Sequence, residues 1–221
     1  MAIESGQVVP NFGVSSWVQG TPTNFDRERG HIVVLEVFQV NCPGCFIHAL
    51  PDAIRVHHKF KGDGVRVLGL ATAFEDFDRN TLDNLRLLAE TGQVIGETQR
   101  ALAARGQLQS GDRLPYSIPF PLGMDNLTRL SGEPSQESIM GVVYPQVPDF
   151  DSLSEELRLE VLEKVKDYLR SKEYSAETFE KFALRGTPST LLVDREGVLR
   201  DISFGRTGHL DGMIRAILEE D

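Results

Sequence analysis

The segment VFQVNCPGCFIHALP holds both cysteines of the chain, Cys42 and Cys45, with Pro43 and Gly44 between them. Sulfurs at this spacing admit four readings: a structural staple, half of a metal site, a redox-active dithiol, or no chemistry at all. Proline is tolerated at the first helical position, where its missing N–H would be unpaired anyway. Pro43 therefore marks a helix start, and Cys42 becomes its cap. The Cys42 sulfur then lies beside free N–H groups and the positive end of the helix dipole. A thiolate there is stabilised, and its pKa falls below the free value of about 8.5. Cys45, one turn further in, is close enough to close a disulfide and is better shielded. The pair thus divides into an exposed attacking thiol and a buried resolving thiol. A metal site needs further ligands; His48 follows Cys45, but no second CxxC or HxxxH completes a tetrahedron.

The elements that must carry this pair are readable on either side. HIVVLEVFQV (31–40) is almost continuously apolar, with one acid, Glu36, in its middle. That pattern suits a strand buried on both faces of a parallel sheet. From Phe46 to about Phe60, Ile47, Leu50, Ile54 and His58 recur at helical spacing, which makes His58 a core-edge residue and leaves His57 solvated. KGDG is a turn and VRVLGLATA the next strand, so the motif sits in a βαβ unit. NTLDNLRLLAETGQVIGETQRALAARGQ predicts helix through Leu82, Leu85, Leu88, Ile95 and Leu102, weakened in its middle by Gly92 and Gly96. IPFPLGMD is a short strand, and residues from about 126 to 151 read mostly as loop. SLSEELRLEVLEKVKDYLRSKEY is an amphipathic helix capped by Ser152 or Ser154. PSTLLVDREGVLRDISF predicts two strands joined by an Asp-Arg-Glu-Gly turn, followed by a helix from about Gly208 to Glu219. The expected class is α/β.

Bulk properties narrow the function. A chain of 221 residues can bury one full core. The formal charge of -10 argues against a nucleic-acid partner, which Lys and Arg would have to neutralise. MAIESGQVVPNF lacks the basic and apolar regions of a signal peptide, and no apolar run is long enough to span a membrane. The expectation is a cytoplasmic protein without a membrane partner. In a reducing cytosol a structural staple is disfavoured, so the redox dithiol is the favoured reading.

Strand, CxxC at a helix start, helix, strand, a late Thr-Pro before a hairpin, and a final helix together resemble the thioredoxin superfamily. The nearest likeness is to TlpA-type thiol–disulfide reductases and their peroxiredoxin (AhpC/TSA) relatives. It covers about residues 5–75, 115–125 and 175–220. It implies one thioredoxin-like domain over residues 1–221, a central mixed sheet flanked by helices, with helical insertions at about 80–115 and 127–175. Three departures stand out. Asn41 occupies the place of the usual Trp before the first cysteine, and the inner pair is Pro-Gly rather than Gly-Pro. Pro51 lies six residues after Cys45, one more than in thioredoxin. That spacing is similar to the peroxiredoxin pattern Thr-Pro-Gly-Cys…His-Leu-Pro, with Cys42 standing where those enzymes have threonine.

The resemblance assigns roles. Glu36, six residues before Cys42, matches a buried acid that exchanges a proton with the resolving Cys45. Among Val, Leu, Ile and Phe its pKa should be raised. The Thr187-Pro188 peptide is expected to be cis, to pack against the dithiol and to offer the Thr187 backbone to an extended substrate. Val40, Asn41, Pro43, Gly44 and Gly205 would line the same groove. The implied activity is thiol–disulfide oxidoreduction on a protein or small-molecule disulfide, with electrons from an external reductase. No metal or organic cofactor is implied beyond the Cys42–Cys45 disulfide itself. The alternative is a hydroperoxide reductase with Cys45 peroxidatic and Cys42 resolving. Arg185 would then be either a thiolate-stabilising cation or a solvated charge before a turn.

Overall fold

The computed structural model describes residues 3–205 and 208–220. The strands are β1 (Ser16–Gln19), β2 (Ile32–Phe38), β3 (Val65–Ala71), β4 (Leu122–Met124), β5 (Leu127–Arg129), β6 (Tyr174–Ala176), β7 (Ser189–Val193) and β8 (Leu199–Phe204). The helices are α1 (Leu50–Phe60), α2 (Leu82–Thr91), α3 (Gly96–Ala104), α4 (Gln136–Gln146), α5 (Glu155–Ser171), α6 (Glu177–Lys181) and α7 (Leu210–Glu219). The chain divides into two compact units, residues 1–127 with 176–221, and residues 128–175.

The first unit is built on a six-stranded mixed sheet of order β1-β4-β3-β2-β7-β8. The apolar run expected as a doubly buried strand is β2, and all of its residues are buried. It pairs parallel with β3 and antiparallel with β7. Alternation along β2 separates two cores. Ile32, Val34 and Phe38 join Leu50, Val56 and Phe60 of α1 and Ile214 of α7 on one face. Val33, Leu35 and Val37 meet Phe12, Phe25 and Phe182 on the other. The β7–β8 hairpin follows the expected Asp-Arg-Glu-Gly turn.

The glycines expected to weaken the helix after β3 break it into α2 and α3. Gly92 ends α2 in the left-handed conformation at φ 73°, and its N–H returns to the Leu88 carbonyl. Such a cap is a glycine position because a β-carbon is strained there. β1 has no counterpart among the expected elements: SWVQ is a four-residue edge strand, half-buried throughout, with no periodic signature.

The second unit corrects one expectation. The sequence predicts mostly loop over residues 126–151, yet Gln136–Gln146 forms α4, with Ser135 Oγ accepting the Ser138 N–H at 3.1 Å. Its buried residues, Ile139 and Val143, are four apart and face Phe150 with Val161, Leu162 and Val165 of α5. Gly141 and Pro145, both poor helix formers, hide that stripe in the sequence. Ser154, not Ser152, caps α5 by accepting the Leu157 N–H.

Candidate active site

β2 ends at Phe38, and Gln39, Val40 and Asn41 carry the chain to the motif. The helix begins at Pro43, so Cys42 takes the cap position. Its sulfur and carbonyl both accept the Cys45 N–H, at 3.3 and 3.1 Å. Cys42 and Cys45 are joined as a disulfide across a Cα–Cα distance of 5.4 Å. Cys42 is half-buried, whereas Cys45 is 0% exposed. The sulfur at the helix start is thus the one that an incoming group can reach.

The extra residue between Cys45 and Pro51 is absorbed as a π-turn over Cys45–Ala49, ahead of α1. Beyond the turn α1 is a regular helix, and its core side is set mainly by i, i+3 steps rather than the i, i+4 steps expected. Its buried residues are Leu50, Ala53, Val56 and Phe60; Ile54 packs half-buried against the same core, and His58 lies outside it. His58 is accordingly exposed and His57 half-buried, the reverse of the expected pair. His57 lies against Phe120, with ring centroids 6.0 Å apart, and burial lowers its pKa.

The Thr187–Pro188 peptide is cis. The Thr187 carbonyl oxygen lies 3.6 Å from Cys42 Sγ. A β-carbon placed on Gly44 would touch Pro188 Cδ at 3.8 Å, so the inner glycine of the motif faces the proline ring. Gly205, at φ 80°, donates its N–H to the Pro188 carbonyl at 2.8 Å. Cys42, Gly44, Thr187, Pro188 and Gly205 therefore converge, from segments more than 140 residues apart in sequence. Phe204, next to Gly205, is 59% exposed. Its ring covers Gly186, where an added β-carbon would come within 2.7 Å of Cε2.

Two of the expected groove residues are occupied elsewhere. Val40 is buried, and its carbonyl accepts the Thr98 hydroxyl at 2.9 Å. The Asn41 side chain donates to Asp76 Oδ2 at 2.8 Å and accepts the Glu97 N–H at 2.7 Å, while its own N–H donates to Asn80 Oδ1 at 2.9 Å. Asn41 thus fastens the approach to the dithiol to the loop after β3 and to the first turn of α3. Arg185 is exposed.

Glu36 is 2% exposed and sits on the α1 side of β2, the side that also holds Cys45. One carboxylate oxygen accepts the Thr190 hydroxyl at 2.8 Å; the other is buried without a partner. Loss of hydration on burial disfavours the charged form. It raises the pKa from 4.5 to about 8, against a lowering contribution from the Thr190 bond.

Sequence reasoning missed Gln39. This buried amide accepts the Thr187 hydroxyl at 3.0 Å and donates to the Glu75 carbonyl at 3.3 Å, tying the proline segment to the strand that carries the dithiol. The only hint was a polar residue at the end of an apolar run. Among the described residues no cluster of three or more His, Cys, Asp or Glu could hold a metal ion, and no helix is long and apolar enough to cross a membrane.

No family model and no curated protein matches the sequence. Solved structures do resemble the chain. A thioredoxin-like superfamily protein is 24% identical over 97% of each chain, with a TM-score of 0.57. A thiol-disulfide isomerase from Corynebacterium glutamicum is 24% identical, covering 97% of this chain and 95% of its own, with a TM-score of 0.56. An uncharacterized conserved protein from Geobacillus kaustophilus is 12% identical over 99% and 84%, with a TM-score of 0.53. Together with the βαβ unit, the cis-proline hairpin and the closing helix, these likenesses give the chain the thioredoxin-like fold.

Proposed function

We propose that the protein is a thiol–disulfide oxidoreductase whose Cys42–Cys45 dithiol, of the TlpA-like kind, reduces a disulfide in a protein or small molecule. The observation that carries this reading is the split in exposure between the two sulfurs, at the N-terminus of one helix and against the carbonyl that precedes a cis-proline. In the reduced protein the Cys42 thiolate attacks one substrate sulfur, forming a mixed disulfide and expelling the other sulfur as a thiolate. Cys45 then gives up its proton and attacks Cys42 Sγ, releasing the second substrate thiolate. The dithiol loses two electrons and the substrate disulfide gains them. An external reductase returns the electrons, and in that step Cys45 leaves as a thiolate and takes a proton. Glu36, protonated at neutral pH in the oxidised protein, is the group assigned to supply it. The Thr187 backbone is offered to an extended substrate, the bonded Pro188–Gly205 pair backs it, and exposed Phe204 adds an apolar wall beside them.

The test is a pair of single variants assayed on a protein disulfide and on hydrogen peroxide. Cys42→Ser should abolish disulfide reduction, whereas Cys45→Ser should still attack and accumulate the mixed disulfide. Peroxide consumption that survives Cys42→Ser and is lost in Cys45→Ser would reverse the roles and make the enzyme a peroxidase.

A further inference from the structure

The Phe46 carbonyl in the dithiol helix is denied its donor in both regular registers. In an α-helix the Phe46 carbonyl would accept the Leu50 N–H, and in a π-turn it would accept that of residue 51. The Leu50 N–H donates instead to the Cys45 carbonyl. Residue 51 is proline, which has no N–H to give. The Tyr116 hydroxyl supplies the missing donor, reaching the Phe46 carbonyl oxygen at 3.2 Å. Tyr116 comes from the irregular segment between α3 and β4 and packs against the same core as Cys45 and Phe46. Burial pushes its phenol pKa upward, so it stays a donor throughout the pH range in which thiols exchange.

We infer that Tyr116 is a positioning residue for the dithiol: its hydroxyl holds the π-turn that begins at Cys45 and so keeps the buried sulfur within bonding distance of Cys42. The inference rests on the redox reading above and deepens it. The alternative arrangement is a plain α-turn. There the Ala49 N–H would return to Cys45 and the Leu50 N–H to Phe46, rotating Cys45 relative to the rest of the helix and moving the carbonyl without a donor to Ile47, opposite Pro51. Without the Tyr116 hydroxyl the reduced helix can take that register, because no disulfide holds the turn closed. Closing the disulfide must then rebuild the π-turn. Loss of the hydroxyl should therefore disfavour the oxidised protein relative to the dithiol.

The test is Tyr116→Phe, read as the equilibrium constant of the reaction in which the protein dithiol and oxidised glutathione give the protein disulfide and two reduced glutathiones. One ordinary hydrogen bond corresponds to about a fivefold change, so the constant should fall about fivefold. An unchanged constant in a folded but less stable variant would make Tyr116 merely structural and overturn the inference. The Pro51→Ala background provides the control, because alanine at 51 restores an N–H that can reach Phe46 in the π register. There Tyr116→Phe should leave the constant unmoved; a persisting fivefold fall would also overturn the inference. If the unsubstituted protein does not exchange with glutathione at all, the redox reading fails on its own. The same four proteins unfolded in urea then decide the hydrogen bond separately. Non-additive losses support the shared carbonyl, and additive losses refute it.

Discussion

Replacing Glu36 by glutamine should remove a steep pH dependence from the stability of the oxidised protein. The carboxyl has a pKa of 4.5 when solvated and about 8 in the fold. Between those values the native chain holds a proton that the unfolded chain has released, so stability falls as pH rises. Below pH 4.5 both states are protonated and the penalty vanishes; above about 8 it is complete. At about 1.4 kcal/mol per pKa unit, the 3.5-unit gap between 4.5 and 8 corresponds to about 5 kcal/mol. Glutamine keeps an acceptor for the Thr190 hydroxyl but puts an amide where the partnerless oxygen now lies. A buried donor without a partner costs about 1–3 kcal/mol at every pH. Urea unfolding of the disulfide form at pH 5 and pH 8.5 separates the two contributions, because other titrating groups cancel between variant and parent. The Glu36→Gln variant should be the less stable protein at pH 5 and the more stable one at pH 8.5, by about 2 kcal/mol. Parallel stability profiles for the two proteins would refute the buried, protonated acid, and with it the proton donor assigned to Cys45.

Two further substitutions test how the dithiol segment is held. Asn41→Ala should cost about 2–3 kcal/mol in urea unfolding, since it strips the Asp76 carboxylate and the Glu97 N–H of their partner. Asn41→Asp keeps the acceptor for Glu97 but faces the Asp76 carboxylate, so its loss should grow from acid to neutral pH; a pH-independent loss would contradict the contact. Gly69→Ala should destabilise by about 1–3 kcal/mol through overpacking, because an added β-carbon would lie 2.5 Å from Leu122 Cδ2 and 3.2 Å from Phe120 Cε2. A neutral melting temperature in calorimetry would show that β3 and β4 can part to admit it.

The frame of the site was legible because it is made of local signals. β2 announced itself as an uninterrupted apolar run, Pro43 as a helix start, and the β7–β8 hairpin as two strands around a turn. The bonds that hold the dithiol in place were not legible, because each joins residues remote in sequence. The Gln39–Thr187 pair is 148 residues apart and the Asn41–Glu97 pair 56. Neither residue type at either end has a spacing that would reveal its partner. Asn41 is the sharpest case. Set beside the motif, it has the place of a groove residue, while its side chain is spent on fixing α3 and the loop after β3.

The most informative misreading comes from a single residue. The spacing from Cys45 to Pro51 is visible in the sequence as one residue longer than in thioredoxin, but its structural consequence depends on what a helix does with an insertion. It is taken up where it falls, as a π-turn over Cys45–Ala49, ahead of a regular α1. Beyond it Val56 and Phe60 lie in the core. On the outer side of α1, Arg55 and Lys59 reach Asp211 of α7, with Arg55 Nη1 2.7 Å from Asp211 Oδ1. The same turn strands the Phe46 carbonyl, because the residue that would serve it is the proline whose spacing was extended. A length change at the motif therefore reaches Tyr116, 65 residues beyond Pro51, through one carbonyl oxygen, and that consequence follows from backbone hydrogen-bond arithmetic.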